Sequence, residues 1–202
     1  IINESLNSKE LFGIQVSIRD SLSPGWDLSL GCIDIDQKHK LQNDHILRVG
    51  SVTKIYSAAL ILRLIEEDYL SLDQKLVDFF PDIDNVKNVS IQNLLNHSSG
   101  ITDVFSIPSI FISASNFPEK FWDPNRLSEV CMKKDLRFKP GSKHSYSNTN
   151  FIILGLVAEK ATGKKVDDLF RQYIFEPLQL EKTFLVPYMD PPRSLVNGYV
   201  HH

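Results

Sequence analysis

Apolar and polar positions alternate, in part, along residues 11–20 (LFGIQVSIRD) and 26–35 (WDLSLGCIDI), and the turn-forming stretch Ser21-Leu22-Ser23-Pro24-Gly25 separates them. The pattern predicts an antiparallel hairpin. After a polar connection over 36–45 the period changes, with Val52, Ile55, Ala58, Ala59, Ile61, Leu62, Leu64 and Ile65 at helical spacing. This predicts a helix from residue 51 to about 68, and because apolar side chains occur all round it, one that is largely buried. Residues 70–84 read as short turns anchored by Leu72, Leu76, Val77, Phe79 and Phe80, and Ser90 reads as the N-cap of a short helix ending near Leu95. From 97 to 124 the expectation is a long irregular surface excursion, broken by Gly100, Pro108, Ser113, Ser115 and Pro118, although 107–112 is quite apolar. A helix over 125–134, a tight turn over 138–142, a strong helix over 148–162 closed by Gly163 and an amphipathic helix over 165–175 complete the pattern.

The order is therefore two strands, then helices. Two strands do not make a stable sheet alone, so further structure is expected to complete it, and an uncovered edge is expected to promote self-association. Composition narrows the class. With 22 Lys plus Arg against 25 Asp plus Glu the formal charge is −3, which argues against a nucleic-acid binder driven by phosphate neutralisation. The hydrophobic share of 42% suits an ordinary globular core. The longest apolar run, residues 151–158, has eight residues where a membrane span needs roughly 20, so no transmembrane helix is expected. The first residues, Ile1-Ile2-Asn3-Glu4, carry neither an initiator Met nor a signal pattern, which reads as a processed or trimmed form.

Several residues drop out as chemistry. Cys32 and Cys131 read as two free thiols. No pair among the six His residues sits at i, i+4, so no zinc site is expected. The acidic pairs Asp34/Asp36 and Asp82/Asp84 lack the glycine and later glutamate of a calcium loop and read as solvated turns. The tripeptides at Asn3-Glu4-Ser5, Asn88-Val89-Ser90 and Asn96-His97-Ser98 arise by chance in chains of this size.

Ser51-Val52-Thr53-Lys54 is different. It sets a hydroxyl and an amine at i and i+3, neighbours on one face of a helix. Serine is a weak nucleophile at its free pKa, and a lysine kept neutral by burial accepts its proton, while the helix N-terminus favours a developing anion. Taken alone the spacing reads as an N-cap serine followed by a surface lysine. Likewise Tyr146 alone is a phenol at a helix start, and Asn148 alone a helix cap.

The segment Ile46-Leu47-Arg48-Val49-Gly50-Ser51-Val52-Thr53-Lys54 resembles the active-serine segment of the penicillin-recognising serine hydrolases. The resemblance continues in Leu72-Asp73 with Phe80-Pro81, in Leu94-Leu95-Asn96-His97-Ser98-Ser99-Gly100-Ile101, and from Phe138-Lys139-Pro140-Gly141 to Tyr146-Ser147-Asn148. The tyrosine form of the second motif is similar to the branch of class C β-lactamases, D-alanyl-D-alanine carboxypeptidases and short-chain esterases. The resemblance implies a serine β-lactamase/transpeptidase-like α/β (α+β) fold, an antiparallel sheet flanked by helices with a mostly helical subdomain. Residues 1–50 would supply the first strands of the sheet region, and residues 51–202 the mostly helical region bearing the motifs. By position it implies Ser51 as the acylated nucleophile, Lys54 and Tyr146 as the groups that shuttle its proton, and Asn148 as the contact to a substrate amide. It gives His97 no chemical role, and His97 reads as part of a structural turn with Ser98, Ser99 and Gly100.

The resemblance also demands a third motif, K-T-G or H-x-G, on a later strand. Ala161-Thr162-Gly163-Lys164 is rejected for that place because it ends a helix. The chain is therefore expected to be an incomplete, N-terminal portion of a catalytic domain, lacking one of two oxyanion donors, a loss that costs roughly a hundredfold or more in rate. The implied activity is acyl-enzyme formation at Ser51 on D-alanyl peptides or β-lactams, with no cofactor and no metal. A short-chain carboxylesterase of the same chemistry, and a non-catalytic domain that binds peptide or partner by strand addition, are the two other readings. Cell-wall substrates imply a secreted or periplasmic protein, while the two cysteines suit a cytoplasmic one as well.

Overall fold

The hairpin forms where alternation placed it. The computed structural model describes residues 11–22, 24–117, 120–186, 188–190 and 194–196. The Asn3-Glu4-Ser5 tripeptide, Ser23 of the hairpin turn, Pro118 of the excursion, and His201 and His202 lie outside the described residues. Residues 1–50 with 190–202 group into one compact unit and residues 51–189 into a second.

In the first unit, β1 (Gly13–Ile18) pairs antiparallel with β2 (Trp26–Gly31). The register sets Ile14, Val16 and Ile18 opposite Leu30, Leu28 and Trp26, and Gln15 and Ser17 opposite Ser29 and Asp27. One face is thus apolar and the other polar, which fixes the register, since a slip of one residue exchanges the faces. Gly25 has φ +74°, and a Cβ there would stand 2.6 Å from the Ile18 carbonyl oxygen, so this turn requires glycine. The acidic residues that follow are spent locally: Asp34 accepts from the Lys38 N–H at 2.7 Å and from His39, and Asp36 accepts from the Lys38 side chain at 3.0 Å. Ile46 bridges to Leu195 through bonds with Ser194 and Val196.

The second unit is helical. A 3-10 turn, Gly50–Val52, leads into α1 (Thr53–Glu66), followed by α2 (Ile91–Leu95), α3 (Pro108–Asn116), α4 (Pro124–Met132), α5 (Asn148–Thr162) and α6 (Val166–Phe170), which continues as a wider π turn over Arg171–Phe175. Leu60, Ile61 and Leu64 of α1 pack with Ile91 and Leu94 of α2, Ile153, Leu154 and Val157 of α5 and Leu169 of α6, all essentially removed from water. The expectation that this helix is largely buried does not hold, because Ile55 and Leu62 are 69% and 49% exposed. Leu60, Ile61 and Leu64 are its fully buried residues, and Tyr56, Ala59 and Ile65 pack partly buried beside them. The helix ends short of residue 68, where Asp68 turns left-handed (φ +60°).

The irregular excursion expected over 97–124 is also corrected, since it contains the 3-10 turn Val104–Ser106 and all of α3. Pro108 starts this helix at its first position, where its missing N–H costs nothing, rather than breaking it. Elsewhere the local signals operate as expected. Ser90 and Asn93 form a reciprocal capping box on α2, and Gly163 closes α5 in the left-handed conformation (φ +71°). Both cysteines are free thiols, Cys32 half-buried and Cys131 buried. Among the described residues no helix is long and apolar enough to cross a membrane.

Candidate active site

Four side chains from two distant stretches meet at the start of α1 and of α5. Ser51 stands in the 3-10 turn just ahead of α1, and Lys54 in the first turn of that helix. Tyr146 lies in the stretch that leads into α5, and Asn148 is the first residue of α5. The Lys54 Nζ donates to Ser51 Oγ at 3.2 Å and to Asn148 Oδ1 at 2.8 Å, while the Tyr146 hydroxyl donates to Ser51 Oγ at 2.9 Å. The ammonium also stands 5.0 Å from the centre of the Tyr146 ring and 5.7 Å from that of Phe151. All four sequence-derived residues thus belong to one hydrogen-bonded chain. Ser51 and Tyr146 are exposed, Lys54 and Asn148 half-buried, so a reactant has access to the hydroxyl while the amine is held from behind.

The electrostatics follow from that packing. Hydrogen bonding by Lys54, and next by Ser51, holds the Tyr146 phenol below its ordinary value and so favours the phenolate. A larger share of such a group is present as the proton-accepting phenolate at a given pH than of a free tyrosine.

Asp103, which sequence reasoning missed, fixes the orientation of Asn148. Its Oδ1 accepts from the Asn148 backbone N–H at 2.8 Å and from Asn148 Nδ2 at 3.2 Å. With the amide nitrogen drawn to a carboxylate, the amide oxygen must face Lys54. The resemblance assigned Asn148 to the substrate; here its oxygen accepts from Lys54 and its nitrogen donates to Asp103.

His97 sits in the expected turn, in left-handed backbone (φ +59°), and has a further part. Its Nδ1 accepts from the Ser147 N–H at 3.2 Å, and its ring lies against the Tyr146 ring at 4.5 Å between centroids. Burial, then the nearby His144 and Lys54, lowers its pKa, which keeps the acceptor nitrogen neutral. Buried polar groups stitch the same frame. Asn150 accepts from Ser99 Oγ at 2.8 Å and donates to the Leu94 carbonyl, and Thr149 Oγ1 accepts from the Val104 N–H and donates to the Thr102 carbonyl, each at 2.9 Å for Thr149. Nothing in local periodicity marks these residues, since each acts across 45 positions or more. Thr162, in the rejected Ala161-Thr162-Gly163-Lys164, bonds back to the Ala158 carbonyl at 2.8 Å, as a helix end does. Among the described residues no group of three His, Cys, Asp or Glu side chains is placed to hold a metal ion.

The fold is of the class seen in D-amino acid amidase and in a penicillin-binding protein homologue. The chain is a member of the Beta-lactamase family, whose model matches residues 1–200. Penicillin-binding protein 4 of Amycolatopsis lactamdurans is 30% identical over 149 residues, covering 71% of this chain and 37% of the relative. A putative D-alanyl-D-alanine carboxypeptidase of Escherichia coli K12 is 26% identical over 166 residues, covering 78% of this chain and 38% of that protein. Among solved structures, D-amino acid amidase from Ochrobactrum anthropi SV3 in complex with D-phenylalanine superposes with a TM-score of 0.85 at 24% identity, over 97% of this chain and 54% of the amidase. The chain therefore has the expected fold, and it spans less than two fifths of the length of these two curated relatives.

Proposed function

We propose that this chain carries the nucleophile of a serine hydrolase that forms an acyl-enzyme at Ser51, with D-alanyl peptides or β-lactams as substrates. The observation that carries the reading is the Ser51 Oγ held at once by Lys54 at 3.2 Å and Tyr146 at 2.9 Å. In the reactive form Tyr146 is a phenolate stabilised by the Lys54 ammonium, and it takes the Ser51 proton as Oγ bonds to the substrate carbonyl carbon. The carbonyl electron pair moves onto oxygen, and the Ser51 N–H is one donor to that oxyanion. On collapse the carbon–nitrogen bond breaks, and Tyr146 returns the proton to the departing amine. Water then repeats the sequence on the acyl ester and releases the acid. An amide oxygen accepts two hydrogen bonds; on Asn148 one comes from Lys54 and the second is assigned to the substrate N–H. The names of the relatives, a penicillin-binding protein and a putative D-alanyl-D-alanine carboxypeptidase, support this choice of substrate.

Intact-mass spectrometry after incubation with a β-lactam panel and an activated short-chain ester tests the reading. The expected result is a stoichiometric adduct on the parent chain and none on Ser51→Ala. An unmodified parent, or an adduct that survives the substitution, overturns it.

A further inference from the structure

Lys54 and Asn148 also line a cavity of about 500 Å³ within residues 51–189. Its wall is mostly apolar: α1 contributes Leu60 and Ile61, α5 contributes Phe151 and Gly155, and Ala114 of α3 and Trp122 line it as well. Residues 104–117, which supply part of this wall, contain no charged side chain beyond the start of α3 or within it. Lys54 and Glu159 are the charged residues of the lining, and Glu159 is occupied in accepting the Val166 N–H at 2.9 Å. The Ser57 hydroxyl likewise bonds to the Thr53 carbonyl. A buried water needs two to four polar partners, so water gains little here and an apolar group gains its full transfer from solvent. A dry apolar cavity of roughly 150 Å³ takes up benzene, so this space suits a chain or ring system on the order of ten carbons.

We propose that the cavity binds the apolar part of an acyl or aryl carboxyl compound, with the carboxyl head at Lys54. This rests on the acyl-transfer reading for the head and narrows that site's substrates to those with a bulky apolar acyl group. The tail depends only on the cavity. A Cβ on Gly155 would meet nothing closer than Val166 Cγ2, at 3.8 Å, an ordinary contact. A longer side chain at Gly155 therefore enters the cavity without moving backbone, at a helix position that favours leucine over glycine.

The test is calorimetric titration of sodium decanoate, with sodium butyrate as comparison, into the 202-residue chain and its Gly155→Leu and Ala114→Leu variants. The expected result is saturable decanoate binding to the parent, at least tenfold tighter than butyrate and at least tenfold weaker in folded Gly155→Leu. Decanoate that binds no better than butyrate, or undiminished in folded Gly155→Leu, overturns the proposal. If Gly155→Leu does not fold, Ala114→Leu in the same lining carries the same comparison, and the ratio of decanoate to butyrate on the parent decides by itself. Decanoate binding to a chain that forms no Ser51 adduct upholds the cavity and refutes the hydrolase reading, and an adduct without decanoate binding does the reverse.

Discussion

Replacing Asp103 by alanine isolates one support of the site. The first backbone N–H groups of a helix have no intrahelical partner, and α5 receives no side-chain bond from its own N-cap residue, Ser147. Asp103 supplies it from 45 positions away, accepting the Asn148 N–H at 2.8 Å with a half-buried carboxylate at the positive end of the helix. A hydrogen bond to a charged group contributes about 1.5–3 kcal/mol, and the charge on the helix dipole about 0.3–1 kcal/mol more. Asp103→Ala is therefore expected to cost about 3 kcal/mol, which for a chain of this size lowers Tm by about 6–12 °C. Asp103→Asn keeps an acceptor but loses the charge from both the hydrogen bond and the helix dipole, so its drop is expected to be about half to two thirds as large. Differential scanning calorimetry reads both values. Stopped-flow acylation supplies the second readout, because an Asn148 amide released by Asp103→Ala no longer keeps its oxygen on Lys54. An alanine variant that melts within 1 °C of the parent refutes the capping argument, and one that melts early yet acylates at the parental rate refutes the positioning argument.

Tyr146→Phe removes the proton acceptor and keeps the ring against His97, so acylation is expected to fall about 10²–10⁴-fold with Tm nearly unchanged; a loss under threefold in a rapid-mixing assay contradicts the assigned role. The depressed Tyr146 pKa makes acylation rise with pH through an inflection below the ordinary phenol value, and that limb vanishes in Tyr146→Phe. For His97 the folded pKa lies below the unfolded one, so the unfolded chain binds more protons; its stabilisation is complete above about pH 6.5 and is lost as pH falls through the folded value. Parallel melts from pH 7.5 to 5 should show a steeper decline for the parent than for His97→Phe, and equal slopes would contradict this assignment. Gly100 has φ +79°, and a Cβ there would lie 2.3 Å from the Phe138 carbonyl oxygen, so Gly100→Ala is expected to cost about 2 kcal/mol or more by urea unfolding, and a neutral effect refutes the close approach.

How much of this was legible in the sequence depends on the distance over which each residue acts. Ser51 and Lys54 form a local pair, and their spacing alone brings them together once a helix follows. Tyr146 and Asn148 were reached only through resemblance to family motifs, because no local pattern tells a phenol near a helix start what stands opposite it. Asp103, Asn150 and Thr149 were not reached, since a single carboxylate in a turn has many local uses and its partner here is 45 positions away. The misread elements have local causes as well. Pro108 stops a helix that is already running and starts one that is not, so the same residue supports opposite readings until its neighbours are placed. Apolar residues all round α1 suggested burial, yet hydrophobicity is a one-way rule, and Ile55 in that helix is 69% exposed.

The missed residues explain why the legible ones meet. Ser51 and Lys54 ride on α1, Tyr146 and Asn148 on the approach to α5, and α1 and α5 pack through side chains such as Leu64 and Ile153 that tolerate small sliding. Apolar packing of that kind sets two helices together without fixing a hydroxyl to within a few tenths of an ångström. That precision comes from directional bonds: Asp103 and Thr149 pin the first turn of α5 to the 102–104 stretch, Asn150 pins it to Leu94 and Ser99, and His97 braces the Tyr146 ring. Lys54, bonded to both Ser51 and Asn148, then closes the link from α5 back to α1. The apolar core thus decides which helices are neighbours, and the buried polar network decides where on them the reacting atoms stand.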